Sequence, residues 1–384
     1  MDPPELIYLN NAASTYPKPP EVLREVAECL GRPLNEPGRT TGTGGSLNYP
    51  SAARTALANL FHTDKPDHFI FTQNATDSLN LLIHGFVKKE GRPFHTVTTE
   101  LEHNAVLRPL YSLADEGAIS LSIVPFRNST VSLAAVKKAV LPETRLVTMI
   151  HGSNVLGSLQ NIKAIAEYCT ANDIFLVVDA AQTAGHLPVD LTEIPVDAFA
   201  FTGHKALFGI TGIGGFYIRD PDRVAPVKQG GTGTDSTMHR QPSALPMKFE
   251  PGTPNFPGIA SLYAGVRFIE RIGLDTIVDH TSDLTRRFIR ELGTDRNISI
   301  YNTKPDLPVI PFNIGGIDNE EAGYILAKAY KIITRTGLQC APLVHERIDG
   351  GTGCIRVSFS YLNSREECMT AVGAIREVSE NAGS

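Results

Sequence analysis

The 384-residue sequence has little that would tie it to a membrane, a nucleic acid or a disulfide framework. No window approaches the ~18 uninterrupted apolar residues of a membrane helix, and the opening MDPPELIYLNN lacks the basic segment and apolar stretch of a signal peptide. Long runs of one charge sign are missing. Lys+Arg 35 against Asp+Glu 41 leaves −6, which argues against a polybasic track for nucleic acid or anionic lipid. The five cysteines, Cys29, Cys169, Cys340, Cys354 and Cys368, are odd in number and contain no CxxC pair, against both a disulfide scaffold and a zinc site. There is no internal repeat or low-complexity tract, and only GRTTGTGGS (38–46) is expected as a flexible loop from composition. These absences lead to the expectation of a soluble, cytoplasmic protein acting on a small molecule, with no metal.

What is present is a 42% hydrophobic chain, enough for one large and one smaller domain. The apolar, β-rich runs FIFT (69–72), HTVTT (95–99), RLVTMI (145–150), IFLVVDA (174–180), DAFAFT (197–202) and IGGFYI (213–218) alternate with helical patterns. That alternation predicts an α/β protein with a parallel or mixed sheet covered by helices. Leu79, Leu82, Ile83 and Phe86, and again Ile162, Ile165, Ala166 and Cys169, recur at the spacing of one helix face. EPGTPNFPG (250–258) reads as a domain hinge or an ordered active-site loop, followed by a helix marked by Ile259, Leu262, Val266 and Ile269. Beyond it a smaller α+β unit is expected, with strands VIPFNI (309–314), KIITR (331–335) and CIRVSF (354–359) and helices near 274–292, 319–330 and 364–381.

Ligands of open α/β sheets bind beyond the carboxyl ends of the strands. There the sequence places QNATDS (73–78), ELEHNA (100–105), Asn154, Asp179 and GHK (203–205). Each has an ordinary explanation. NATDS opens a helix whose unpaired N–H groups suit a phosphate, with Thr76 as an added donor, or Asn74 or Thr76 simply caps that helix. Asp179 alone fits a turn or cap, His103 a hydrogen-bonded structural histidine, QGGTGT (229–234) a turn, and Lys205 a solvated charge. Together they are a different matter. An aspartate, a phosphate site, a flat stacking residue and a lysine 26 positions past the aspartate are what pyridoxal 5′-phosphate requires of a protein.

The sequence resembles the class V branch of the fold-type I pyridoxal-phosphate enzymes, and within it the cysteine desulfurases and selenocysteine lyases. The resemblance is carried by YLNNAAST (8–15), NATDSLN (74–80), ELEHNAVL (100–107), SNVLGSLQNI (153–162), VDAAQTAGHLPVDL (178–191), TGHKALFGITGIGGFYI (202–218), FEPGTPN (249–255), RTGLQCAP (335–342) and IRVSFSYLNSREE (355–367). It implies a large domain (16–258) with a mainly parallel seven-stranded sheet, preceded by an N-terminal arm (1–15). A smaller α+β C-terminal domain (259–384) would carry the nucleophile.

The resemblance also implies roles. Lys205 would hold the cofactor covalently and move protons, Asp179 would pair with the pyridine nitrogen, Gln182 with the phenolic oxygen, and His103 would stack on the ring. Asn74, Ala75, Thr76, Thr202 and His204 would surround the phosphate, with Thr253 reaching it from the other subunit of a homodimer. Asn11, Ala12, Arg335 and Arg356 would lie on the substrate side, Arg356 taking the carboxylate, and Asn154 would contact both the cofactor and the substrate region. Cys340 matches the desulfurase nucleophile, which takes sulfur from L-cysteine as a persulfide for an acceptor protein. Selenocysteine lyase on L-selenocysteine, a class V aminotransferase or lyase with an incidental Cys340, and a cofactor-binding regulator without turnover are the rival readings. Two departures stand out: Asn11 replaces an aspartate of many relatives, and Gln339 precedes the nucleophile where some desulfurases have histidine. His345 is expected to be solvent-exposed.

Overall fold

The computed structural model describes residues 6–33, 47–233 and 236–382; the expected loop at 38–46 and the last residue of 229–234 lie outside them. Strands that are apolar on both faces must be covered on both, and the central runs of this chain are of that kind. The first strand, β1 (Ile7–Tyr8), precedes helices α1 (Pro20–Leu30) and α2 (Tyr49–Leu60). Seven further strands follow: β2 (Phe69–Thr72), β3 (Phe94–Thr99), β4 (Ile119–Val124), β5 (Thr144–Ile150), β6 (Phe175–Asp179), β7 (Ala198–Thr202) and β8 (Gly214–Ile218). They form one sheet in the order β2-β8-β7-β6-β5-β3-β4. Only β8 runs antiparallel to its neighbours. Every residue of β6 and β7 is buried, so the sheet is covered on both faces.

Helices α3 (Ala75–Glu90), α4 (Asn104–Asp115), α5 (Leu133–Ala139) and α6 (Ile162–Ala171) connect the strands. The α3 boundaries follow local chemistry. The Asn74 side chain accepts from the Asp77 N–H at the start, and Gly91, at φ 65, ends the helix in the left-handed region that glycine tolerates. Leu79, Leu82, Ile83 and Phe86 are all buried, as their spacing predicts.

The rest of the chain comprises α7 (Phe256–Ile272), α8 (Leu274–Leu292), β9 (Ile298–Ile300), β10 (Val309–Ile314), α9 (Asn319–Ala329), β11 (Ile332–Ile333), α10 (Pro342–Ile348), β12 (Ile355–Ser358) and α11 (Arg365–Ala382). A three-stranded antiparallel sheet, β12-β10-β9, backs its own core, in which Leu284, Phe288, Phe312, Ile355 and Ile375 meet. The run at 331–335 meets it only through one bridge, between Arg335 and Arg356 of β12. Lys331 turns at φ 58, and only Ile332–Ile333 forms a strand, paired in parallel with β1. Ile7 and Leu9 therefore belong to the same core as Phe312, although more than 300 residues of chain lie between, whereas Ile259, Leu262 and Val266 of α7 pack into the core of the large sheet.

A buried ion pair ties α2 to the Pro/Gly-rich segment. Arg54 places Nη2 2.6 Å from both carboxylate oxygens of Glu250 and donates Nε–H to the Phe69 carbonyl. Their side chains are 6% and 14% exposed, so water cannot replace a lost partner. Arg54→Met should cost about 3–5 kcal/mol, the usual penalty for leaving one buried charge alone, and a urea unfolding midpoint checks it.

Candidate active site

Two helix starts and three strand ends converge on a cavity of about 350 Å³. The start of α3 brings Asn74, Ala75 and Thr76, and the start of α4 brings His103. The turn after β5 supplies Asn154, the end of β6 Asp179 and then Gln182, and the end of β7 Thr202, His204 and Lys205. Ala12 enters from the N-terminal segment. Arg335, Gln339, Cys340 and Arg356 arrive from beyond residue 330.

Electrostatics inside are governed by burial. Asp179 is 3% exposed and holds the Ala181 N–H at 2.9 Å; burial raises its pKa, with the hydrogen bond and the Lys205 charge pulling it back. The Lys205 amine is lowered to about 8, chiefly by burial and further by Arg356, against the attraction of Asp179 and Cys340. For both groups loss of water outweighs mutual attraction. His103 caps α4, its Nδ1 accepting from the Ala105 N–H, which puts the ring hydrogen of the neutral form on Nε2. Burial and then the charges of Lys205, Arg356 and Arg108 push it down to about 4, so the imidazole is neutral at pH 7.

The lysine is also held by its backbone. Thr15 Oγ1 donates to the Lys205 carbonyl at 2.7 Å, and the His204 carbonyl accepts from the Thr15 N–H at 2.9 Å, Lys18 Nζ at 2.9 Å and Ser14 Oγ at 3.3 Å. Arg356, 3% exposed, donates Nη1–H to the Asn154 carbonyl and Nη2–H to Asn10 Oδ1. Asn10 has no counterpart among the site residues expected from sequence. The alternation of a short extended segment, which meets Ser358 through a bridge at Asn10, is the signal that could have found it.

Two expected residues lie elsewhere. The Asn11 amide is saturated by Ser358, Asn363, Tyr8 and the Tyr16 N–H, and the residue lines a smaller adjoining cavity. Thr253 lies in a separate cavity of about 220 Å³ with Gln73, Asp77 and Lys228. The expectation for His345 is corrected: it is fully buried, because α10 turns it toward Gln339 and Asp349 instead of toward water.

Four of the six buried side-chain polar atoms that lack a hydrogen-bond partner among the described residues belong to residues lining this cavity: Asn154 Oδ1, Thr202 Oγ1, His204 Nδ1 and Arg356 Nε. Buried polar atoms are nearly always paired. Their clustering beside an ammonium and a carboxylate fits a polar, anionic guest with a cationic ring nitrogen, which is the chemistry of pyridoxal phosphate.

Because the Lys205 pKa is depressed on folding, the unfolded chain binds more protons between about 8 and 10.5. The cost is full below about 8 and is relieved as pH rises toward 10.5. In the cofactor-free protein, Lys205→Met should therefore stabilise by roughly 2–3 kcal/mol at pH 7. The gain should shrink steadily by pH 9.5; a gain independent of pH in urea titrations would contradict the assignment.

A family model described as aminotransferase class-V matches residues 7–370. A probable cysteine desulfurase of Halalkalibacterium halodurans is 30% identical, the match covering 98% of this chain and 94% of the relative. A cysteine desulfurase of Cronobacter sakazakii is also 30% identical, over 96% and 92% of the two chains. The apo structure of a cysteine desulfurase from Thermococcus onnurineus superposes with a TM-score of 0.87 at 30% identity, covering 98% of this chain and 95% of the other. With the match spanning both units and every strand of the large sheet, the chain belongs to the aminotransferase class-V family.

Proposed function

We propose that the protein is a pyridoxal-phosphate-dependent cysteine desulfurase that converts L-cysteine to L-alanine and carries the sulfur as a persulfide on Cys340. One observation carries the reading: of the five cysteines, only Cys340 is exposed, and it lines the cavity that also holds Lys205, Asp179 and Arg356. The relatives named cysteine desulfurases support it.

Pyridoxal phosphate, when bound, supplies an electron sink for the bond changes at the substrate α-carbon. Asp179 is suited to hold its pyridine nitrogen, and a cation there gives the buried carboxylate a partner. The start of α3, with Asn74, Ala75 and Thr76, and the unpaired groups of Thr202 and His204 suit its phosphate. Gln182 suits the phenolic oxygen, although its Nε2 donates to the Ala12 carbonyl at 3.0 Å without the guest. His103, neutral, serves as the stacking residue.

The chain's own groups divide the chemistry. Arg356 has two N–H groups committed to Asn154 and Asn10, which leaves Nε–H and two more for a substrate carboxylate. Lys205, depressed to about 8, has a neutral fraction at neutral pH and takes the proton from the substrate α-carbon. The Cys340 thiolate attacks the substrate sulfur; an S–S bond forms, the Cβ–S bond breaks, and the electron pair left on Cβ takes a proton to give alanine. Arg335 stands at the same mouth as an exposed cation.

The working unit we propose is a homodimer in which Thr253 completes the phosphate site of the second copy; the smaller domain begins after α7, whose Ile259, Leu262 and Val266 pack into the core of the large sheet, and not at residue 259. No helix among the described residues is long and apolar enough to cross a membrane. A reducing cytoplasm suits a free nucleophilic thiol, and a protein thiol is the sulfur acceptor we favour.

Incubation with L-cysteine followed by persulfide trapping and peptide mass spectrometry should label Cys340. Cys340→Ser should lower alanine release by orders of magnitude while leaving the visible absorption of the bound cofactor intact; near-parental alanine release would remove Cys340 from the reaction. Arg356→Lys keeps the charge but loses the fork, so KM for cysteine should rise about tenfold or more, as for a lost charge-assisted hydrogen bond.

A further inference from the structure

Cys340 sits in a conformation that a cysteine does not choose alone. Gln339 and Cys340 have φ 41 and φ 60, two consecutive non-glycine residues in the left-handed region. Such a backbone persists only where its surroundings impose it. Here both flanking carbonyls are held from the large unit: Asn154 Nδ2 donates to the Gln339 carbonyl at 2.7 Å, and the Asn104 N–H to the Cys340 carbonyl at 2.7 Å.

The Gln339 side chain is fixed more completely. A glutamine amide offers two donor hydrogens and two acceptor positions, and all four are used. Nε2 donates to the carbonyls of Gly337 and, at 2.8 Å, Cys354. Oε1 faces His345 Nε2 at 2.8 Å and the Cys354 thiol at 3.7 Å. Burial pushes that thiol up to about 12, so it stays protonated and can donate.

Two carbonyls on the nitrogen side fix the orientation of the amide, so His345 Nε2 must carry a hydrogen. His345 Nδ1 then meets Asp349 Oδ2 at 2.6 Å, with a hydrogen between them. Asp349 Oδ1 is held in turn by the N–H groups of Gly351 and Gly353. The His345 and Asp349 side chains are 0% and 1% exposed, so no water enters this chain of bonds.

We propose that Asp349, His345 and Gln339 form a positioning device that holds the Cys340 loop in a single conformation at the cavity, making the nucleophile part of the rigid pocket. None of the three is assigned a catalytic role. The inference rests on the desulfurase reading only for its effect on rate. Histidine stands one step behind the residue before the nucleophile, where it orients a neutral amide and exchanges no proton with the thiol. A displacement of about 1 Å at a reacting atom costs on the order of 100-fold in rate, so loss of the device should be felt in turnover more than in substrate binding.

The test uses His345→Ala and His345→Gln in the cofactor-loaded enzyme, the glutamine being able to donate an N–H to Gln339 in place of imidazole. Expected for His345→Ala are a 10–100-fold lower kcat for alanine release, KM for cysteine within about threefold, and at least tenfold faster amide hydrogen exchange across 336–344. His345→Gln should restore most of the kcat and exchange protection. If His345→Ala fails to fold, Gln339→Ala, which deletes the amide itself, is expected to give the same kcat, KM and exchange changes. Parental kcat and exchange in the alanine variant, or no recovery in the glutamine variant, would overturn the positioning role. Faster exchange in the variant, combined with a parent enzyme that forms no persulfide, would refute the desulfurase reading and leave the positioning role standing.

Discussion

An ammonium and a carboxylate withdrawn from water each lose several kcal/mol of hydration, which one Coulombic contact repays only in part. Asp179 and Lys205 are in this position at the ends of neighbouring strands β6 and β7, with burial as the leading influence on both. Much of what surrounds them follows from that cost. The Ala181 N–H supports the carboxylate, and Thr15 fixes the backbone that carries the amine. His103 is kept neutral beside the lysine and Arg356, which avoids a third buried cation there. The residual cost makes the pocket a good receptor for a group that carries its own opposite charges.

The second requirement is register between two cores. The cofactor side is built from the large sheet, and the thiol lies next to Ala341 and Val344, which pack into that sheet's core, whereas the substrate-side arginine lies between Ile355 and Val357 of the second core. Asn154 is the joint. Its side chain holds the carbonyl before Cys340, and its own carbonyl holds Arg356, so one residue after β5 sets the distance between nucleophile and carboxylate anchor. Arg335 and Arg356 are themselves bridged through their backbones. The backbone bridge therefore couples the arginine pair, while the thiol is held from the side of the large sheet.

Six strands of the central sheet were legible as apolar, β-rich runs; the seventh, edge strand β4, was not, because ISLSIV alternates with serine and is only partly buried. The site was legible because polar residues follow those runs directly: Asp179 after FLVV and Lys205 after FAFT. What stayed hidden depends on partners far away in the chain. The run at 331–335 has strand composition, yet its partner is Ile7–Tyr8, a pair that no local pattern announces. Asn10 and Asn11 are indistinguishable by type, and only pairing with Ser358 decides which one turns toward Arg356. His345 lies in VHERIDGG, whose charged and glycine-rich composition suggests water; the seven-residue helix α10 gives it one inward face, and Gln339 and Asp349 fill it.

The N-terminal segment has a further consequence, in the timing of assembly. Asn11 bonds to Ser358 and Asn363 across 347 and 352 positions, and Ala12 bonds to the Ser358 hydroxyl across 346. During translation this segment leaves the ribosome ahead of the rest of the fold, and its partners emerge 346 to 352 positions later. Ile7 and Leu9 share their core with Ile355 and Val357 of β12 and are not fully buried before that strand exists. A nascent chain is therefore chemically silent: the lysine, the arginine and the thiol meet only when the two ends of the fold have found each other.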